Sequence, residues 1–161
     1  MTVNINSTDL ENALKVVRTT VGSSNDISSH YVFRTRDEKM EVLSYDGRTI
    51  SSCLIPHTNS EDGDVSFTVE ARRIHVLLDS VGGNQALDFT VSDGEVTVKT
   101  TRGKVMFSSL DPSLFPYWDD VIVGAKSTVK LSADRLHAAL TDRKSTRLNS
   151  SHGYISYAVF C

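Results

Sequence analysis

Three stretches of the chain repeat one pattern, and that repeat limits what the chain can fold into. Residues 3–14 read VNINSTDLENAL, 67–78 read FTVEARRIHVLL and 129–140 read VKLSADRLHAAL, aligning without gaps at offsets of 64 and 62 residues. Apolar side chains coincide at Val3, Phe67 and Val129, at Ile5, Val69 and Leu131, and at Leu10, Ile74 and Leu136. Each stretch opens on an alternation of period two and then changes to helical spacing, which predicts a strand running into a helix. A repeat of this kind implies stacked copies of one supersecondary module.

In the first copy a strand is expected over 2–6, and the spacing from Thr8 to Glu11 predicts a capping box at the helix start. Leu10, Ala13, Leu14 and Val17 then fall on one helical face, and Gly22 is the expected stop. After a polar loop over 23–29, strands are expected at 30–35, 40–45 and 49–55, with turns at Asp37-Glu38 and Asp46-Gly47 and an acidic connection over 56–64. In the second copy, Val65, Phe67 and Val69 alternate as a strand, and Ile74, Leu77, Leu78 and Val81 keep helical spacing up to Gly82-Gly83. Strands at 86–92, 95–100 and 104–109 follow, joined by a tight Asp93-Gly94 turn and a turn at Arg102-Gly103. The reading is an α+β domain made of two strand-helix-three-strand units, with a third unit begun at 129 and incomplete.

The last twenty residues break from this pattern. Residues 142–152 resemble the in-frame translation of a short-read sequencing adapter, Gly153-Tyr154 fits a two-codon index, and 155–161 resembles the adapter's continuation. The segment 142–161 is therefore set aside as a non-native tail. Its removal changes the charge: residues 1–141 carry 14 basic and 19 acidic side chains, a net of −5, against −3 for the whole chain. That excludes a generally basic nucleic-acid-binding surface and leaves room only for a local stripe of cations on an acidic body. The hydrophobic fraction of 39% and charged fraction of 23% are those of a globular protein. No apolar run approaches the roughly 20 residues of a membrane span. No secretory signal pattern opens the chain, so a cytoplasmic location and no membrane partner are expected. Cys53 and Cys161 form neither a disulfide framework nor a metal set.

TVEARR with the following LLDSV, the Asp93-Gly94 hairpin, RGKVMF at 102–107, SYDGR at 44–48 and above all 110–120 ending FPYWDD resemble the bacterial β sliding clamp, the β subunit of DNA polymerase III. The resemblance covers nearly all of residues 1–141. It implies the DNA-clamp fold: a first clamp domain over 1–120, then 121–141 as connector and first strand and helix of a truncated second domain. It further implies a processivity factor whose helices line a hole around double-stranded DNA, read without regard to sequence, with other clamp subunits closing the ring. The replicative polymerase and clamp loader would dock on later domains, so a mainly monomeric N-terminal fragment is expected here.

Under that resemblance the candidate DNA contacts are Lys15 and Arg18 on the first helix, Arg72 and Arg73 on the second and Arg135 on the third. Arg72 matches the family's TVPAR arginine. The loop that often carries a basic contact in the family reads Ser23-Ser24-Asn25 here, so that contact is weakened. The strand 104–109 is a candidate sheet edge, with Val105 and Phe107 as subunit-interface or core residues. Phe115-Pro116 is expected to anchor the connector, and Trp118 to share that role or make a partly exposed contact. Cys53 is expected to be a small buried apolar residue.

Nothing points to catalysis, a cofactor or a metal. His30, His57, His75 and His137 are scattered without ligands at metal spacing. Glu61-Asp62-Gly63-Asp64 lacks the full spacing of a calcium loop. Ser51-Ser52-Cys53 has no base or elbow nearby, and no phosphate-binding glycine loop occurs. The competing reading is a β-rich protein-binding or enzyme-accessory domain whose repeat only imitates a clamp.

Overall fold

A computed structural model describes residues 1–24, 26–36, 39–59, 63–117 and 130–146. The expectations placed on Asp37-Glu38, Glu61-Asp62, Trp118 with the connector to 129, and 147–161 including Cys161 lie outside them. The chain divides into two compact units, 1–118 and 119–161.

In the first unit the order is β1 (Thr2–Asn6), α1 (Ser7–Val17), β2 (His30–Arg36), β3 (Lys39–Tyr45), β4 (Ile50–Ile55), β5 (Thr58–Asn59), β6 (Ser66–Glu70), α2 (Ala71–Val81), β7 (Ala86–Ser92), β8 (Glu95–Lys99) and β9 (Lys104–Ser108). The two repeats interlock. β1 of the first repeat pairs with β7 of the second, Val3 opposite Phe89, while β6 of the second pairs with β2 of the first, Phe67 opposite Phe33. The result is two antiparallel sheets, β5-β1-β7-β8-β9 and β4-β3-β2-β6. Within its own repeat β1 pairs only with the two-residue β5, and among the described residues β6 pairs only with β2 of the other repeat, so the domain is complete only with both copies.

Leu10, Ala13, Leu14 and Val17 of α1 and Ala71, Ile74, Leu77 and Val81 of α2 are buried in one core with the inward side chains of both sheets. Full burial of each large aliphatic side chain stabilises the fold by about 1.5–3 kcal/mol before entropy is subtracted. Phe33, Phe67 and Phe89 meet in its middle, Phe33 and Phe67 stacked at 4.8 Å.

β2 is buried over 31–33 and β3 over 40–44, consecutive residues rather than alternate ones, because a second cluster covers their other face. There Val32 and Leu43 pack on Phe115, with Tyr117 alongside. The strap that carries Phe115 leaves β9 through Ser109 and Leu110. Thr68 holds that exit, its N–H donating to Ser109 Oγ at 2.9 Å and its Oγ1 accepting from the Leu110 N–H at 2.7 Å. Phe115 is thus the anchor the sequence suggested. Arg34 stacks over Tyr117 at 4.4 Å and pairs through Nε with the buried Glu41 carboxylate at 2.8 Å.

Four local expectations change. The cap of α1 is Asn6, not Thr8: Asn6 Oδ1 accepts from the Thr8 N–H at 2.9 Å, and the Thr8 hydroxyl accepts from the Asn84 N–H. The helix starts the moment β1 ends, which leaves Thr8 two positions too late to cap. Gly22 does not stop α1, which tightens into a 3-10 turn over Arg18–Thr20. Gly22 instead lets the chain pass Ser28, because a Cβ there would collide with the Ser28 side chain. The connection 56–64 contains the short strand β5, which extends the first sheet beside β1. Cys53 is only partly buried, at the margin of the core. Gly82, by contrast, ends α2 with φ 76, in the left-handed region that glycine adopts without strain.

The second unit shows α3 (Ala133–Thr146). The strand expected just before it is not formed at Lys130 and Leu131, and Val129 lies outside the described residues. A strand needs a neighbour to take up its backbone hydrogen bonds, and no described segment pairs with 130–132. The helix runs on across 142, where the foreign tail was expected to begin.

Candidate nucleic-acid interface

The end of α1 and the start of α2 lie side by side on the first unit. Val21, Gly22, Ser29, His30 and Arg72 line a shallow depression of about 340 Å³ between them. Arg18 is exposed in the 3-10 turn that closes α1, and its charge acts on Tyr31 and on His75 of α2. Arg18 and Arg72 are thus two exposed cations about this junction, which the acidic Glu70 also lines. The backbone adds to their charge. No side chain caps α2 and its first turn holds no acid, so its start carries partial positive charge beside Arg72 and Arg73, offset in part by the N-cap residue Glu70. Arg72 in that position opposes the helix dipole at a cost of about 0.3–1 kcal/mol, whereas Arg73 recovers part of that cost by pairing with Glu70.

The other candidates differ in how free their charge is. Lys15 Nζ pairs with Glu11 Oε1 at 2.8 Å, both groups well exposed, and such an i,i+4 pair contributes only about 0.3–0.5 kcal/mol. A phosphate competes with it at little cost. Arg73 Nε pairs with Glu70 Oε2 at 2.7 Å, so Arg73 offers less net charge. Among the described residues Arg72 makes no ion pair, which favours it as the leading contact. Arg135 is exposed on α3 in the second unit. In the loop after α1, Ser24 Oγ donates to Asp26 Oδ1 at 2.9 Å, so this hydroxyl binds within its own loop.

β9 is an edge of its sheet. Phe107 points into the core, 2% exposed, while Val105 is 39% and Met106 61% exposed. Val76 of α2, 64% exposed, joins Val105 and Met106 along a groove of about 510 Å³ bordered by Arg72 and Arg73. Sequence reasoning missed Met106 and Val76. Their signal was present: an apolar side chain on the polar face of its element, at Met106 between two inward positions and at Val76 between Arg73 and Asp79.

Tyr31 is fully buried, and its hydroxyl lies 2.9 Å from His75 Nε2. Burial pushes the Tyr31 phenol up to about 12 against an ordinary 10. A group raised in the folded state contributes stability that is whole below its unfolded value and lost above it. The first unit is thus expected to lose stability between about pH 10 and 12, by up to about 1.4 kcal/mol per pH unit. Urea midpoints of the protein and of Tyr31→Phe across that range test this, the substitution flattening the slope. Burial holds His57 and His75 below the ordinary imidazole value. Among the described residues no cluster of three His, Cys, Asp or Glu is placed to hold a metal, and no helix is long and apolar enough to cross a membrane.

A crystal structure of the DNA polymerase III subunit beta from Pseudomonas aeruginosa superposes with a TM-score of 0.71 at 18% identity, over 89% of this chain and 38% of that one. The chain carries the sliding-clamp fold. The Helicobacter pylori beta clamp, in a crystal structure bound to a DNA ligase peptide, superposes with a TM-score of 0.65 at 19% identity, over 73% of this chain and 33% of that one. A Pseudomonas aeruginosa DNA polymerase sliding clamp with ligand gives a TM-score of 0.62 at 20% identity. The chain thus spans about a third of the length of these clamps. No family model and no curated protein matches the sequence.

Proposed function

We propose that this chain is part of a DNA polymerase processivity clamp, a non-catalytic protein that encircles duplex DNA and tethers the replicative polymerase. One observation carries the reading: on a clamp fold of net negative charge, exposed cations and a free helix start collect where α1 ends and α2 begins. Three or four of Lys15, Arg18, Arg72, Arg73 and, from the next unit, Arg135 neutralise phosphates at one time, and the β9 edge at Val105 meets another clamp subunit. The cations beside β9 favour a partner edge that carries acids. Polymerase and clamp loader bind domains other than this one. In the same reading 1–120 is the first clamp domain, 121–141 leads into a second, and 142–161 is adapter-derived.

Phosphate contact of this kind is independent of sequence and sensitive to salt. Fluorescence anisotropy with two 24-base-pair duplexes of unrelated sequence is the test. Equal affinities are expected, with log K falling against log salt at a slope of about −3, as three or four neutralised phosphates require. Sequence-selective binding, or no binding at low salt, contradicts the reading. The second reading, a β-rich protein-binding or enzyme-accessory domain, draws on the exposed apolar β9 edge and requires no DNA affinity.

A further inference from the structure

We propose that duplex DNA and a proton bind the junction of α1 and α2 cooperatively, with His75 as the residue that takes up the proton. The inference rests on the DNA reading above and adds to it a residue that no part of that reading uses. His75 sits on α2 one turn after Arg72, half-buried, with its ring edge-on to Tyr31 at 5.7 Å. The Tyr31 hydroxyl and His75 Nε2 are 2.9 Å apart. Among the described residues the hydroxyl has no other partner. With neutral His75 carrying its hydrogen on Nδ1, Tyr31 donates to Nε2 and both groups are satisfied.

Protonation reverses that bond. Nε2–H must then donate to the phenol oxygen, and the Tyr31 O–H is left buried with no described acceptor, a state that folded proteins avoid. Burial is the main force against the new charge; Arg18, from the end of α1, also repels it, while Asp79, one turn further along α2, favours it. Tyr31 of β2 contributes no charge near neutral pH. In the free protein the balance holds His75 neutral. A phosphate seated on Arg18 and Arg72 removes the repulsion and attracts the imidazolium directly, so DNA raises the proton affinity of His75. By reciprocity a proton raises the affinity for DNA by the same factor. His57, in the connection between β4 and β5 and not among the residues of the junction, is the control, because burial alone holds it below the ordinary imidazole value.

The test is an NMR titration of the histidine ring protons of the full chain, with and without a 24-base-pair duplex at low salt. It is paired with duplex affinity at pH 7.5 and 5.5 for the protein, His75→Gln and His57→Gln. Glutamine can still accept from the Tyr31 hydroxyl, so the fold is retained. The proposal expects DNA to move the His75 midpoint upward and acidification to tighten binding by about fivefold or more, an effect lost in His75→Gln and kept in His57→Gln. A His75 midpoint that DNA leaves in place, while signals at Arg18 and Arg72 respond, overturns the proposal and spares the DNA reading. No response at either arginine removes both.

Discussion

Replacing Phe67 with alanine is expected to destabilise the first unit by about 4 kcal/mol, within the range of about 3–5 for a buried aromatic. Phe67 is fully buried, stacked on Phe33 at 4.8 Å with the rings 4° from parallel, and 5.7 Å from Phe89. The three rings come from β6, β2 and β7, so they join both sheets and both repeats at one point. An alanine leaves a cavity where the repeats interlock, and the strands on either side are hydrogen-bonded into ladders that resist closing over it. Since a whole domain is stable by only about 5–15 kcal/mol, the substituted unit is expected to be partly unfolded at physiological temperature. Urea denaturation followed by circular dichroism measures the change. Leu54→Ala, at a half-exposed position of an edge strand, serves as the comparison and is expected to stay within about 0.5 kcal/mol. A Phe67→Ala loss below about 1 kcal/mol contradicts this picture of the core.

Reversing two charges, Arg18→Glu with Arg72→Glu, is expected to weaken duplex binding by about a hundredfold at 50 mM salt and to flatten the salt slope by about two. Each substitution removes a phosphate contact and sets a carboxylate against the backbone of the DNA. The fold is expected to be unharmed, and this distinguishes a lost contact from a lost structure. Arg72→Glu places an acid in the first turn of α2, where the helix dipole favours it by about 0.3–1 kcal/mol. Arg18→Glu sets an acid at the C-cap of α1, where the dipole disfavours it by a similar amount, so the double variant should melt close to the protein itself while binding DNA far more weakly. Unchanged binding, or a loss matched by an equal loss from Lys39→Glu on an exposed strand end, contradicts the assignment of the junction.

Much of this architecture was legible wherever side-chain period decides the outcome. Residues 86–92 alternate strictly, and β7 occupies those bounds; Ile74, Leu77 and Val81 keep helical spacing, and α2 buries those three. The exchange of first strands between repeats was not legible, because period says which face is buried and nothing about which strand lies alongside. β5 has only two residues, too few to show a period, and exists by pairing Thr58 and Asn59 with β1. Glu41 reads as a solvent position in an alternating strand, yet it is buried because Arg34 stands directly opposite on β2. The junction was half legible. The cations were all nameable from the helices, but that Glu70 engages Arg73 while Arg72 stays free depends on rotamers and on how α1 and α2 are brought together.

The central claim is that the junction of the two helices, rather than a sheet face or the strap, meets duplex DNA. Amide chemical-shift mapping of the labelled chain, with an unlabelled 24-base-pair duplex added at low salt, tests it most directly. The account predicts perturbations gathered over 15–22 and 71–76 and fading as salt is raised. Perturbations centred on β3 and β4 or on the strap around Phe115, or none at any salt concentration, would contradict it.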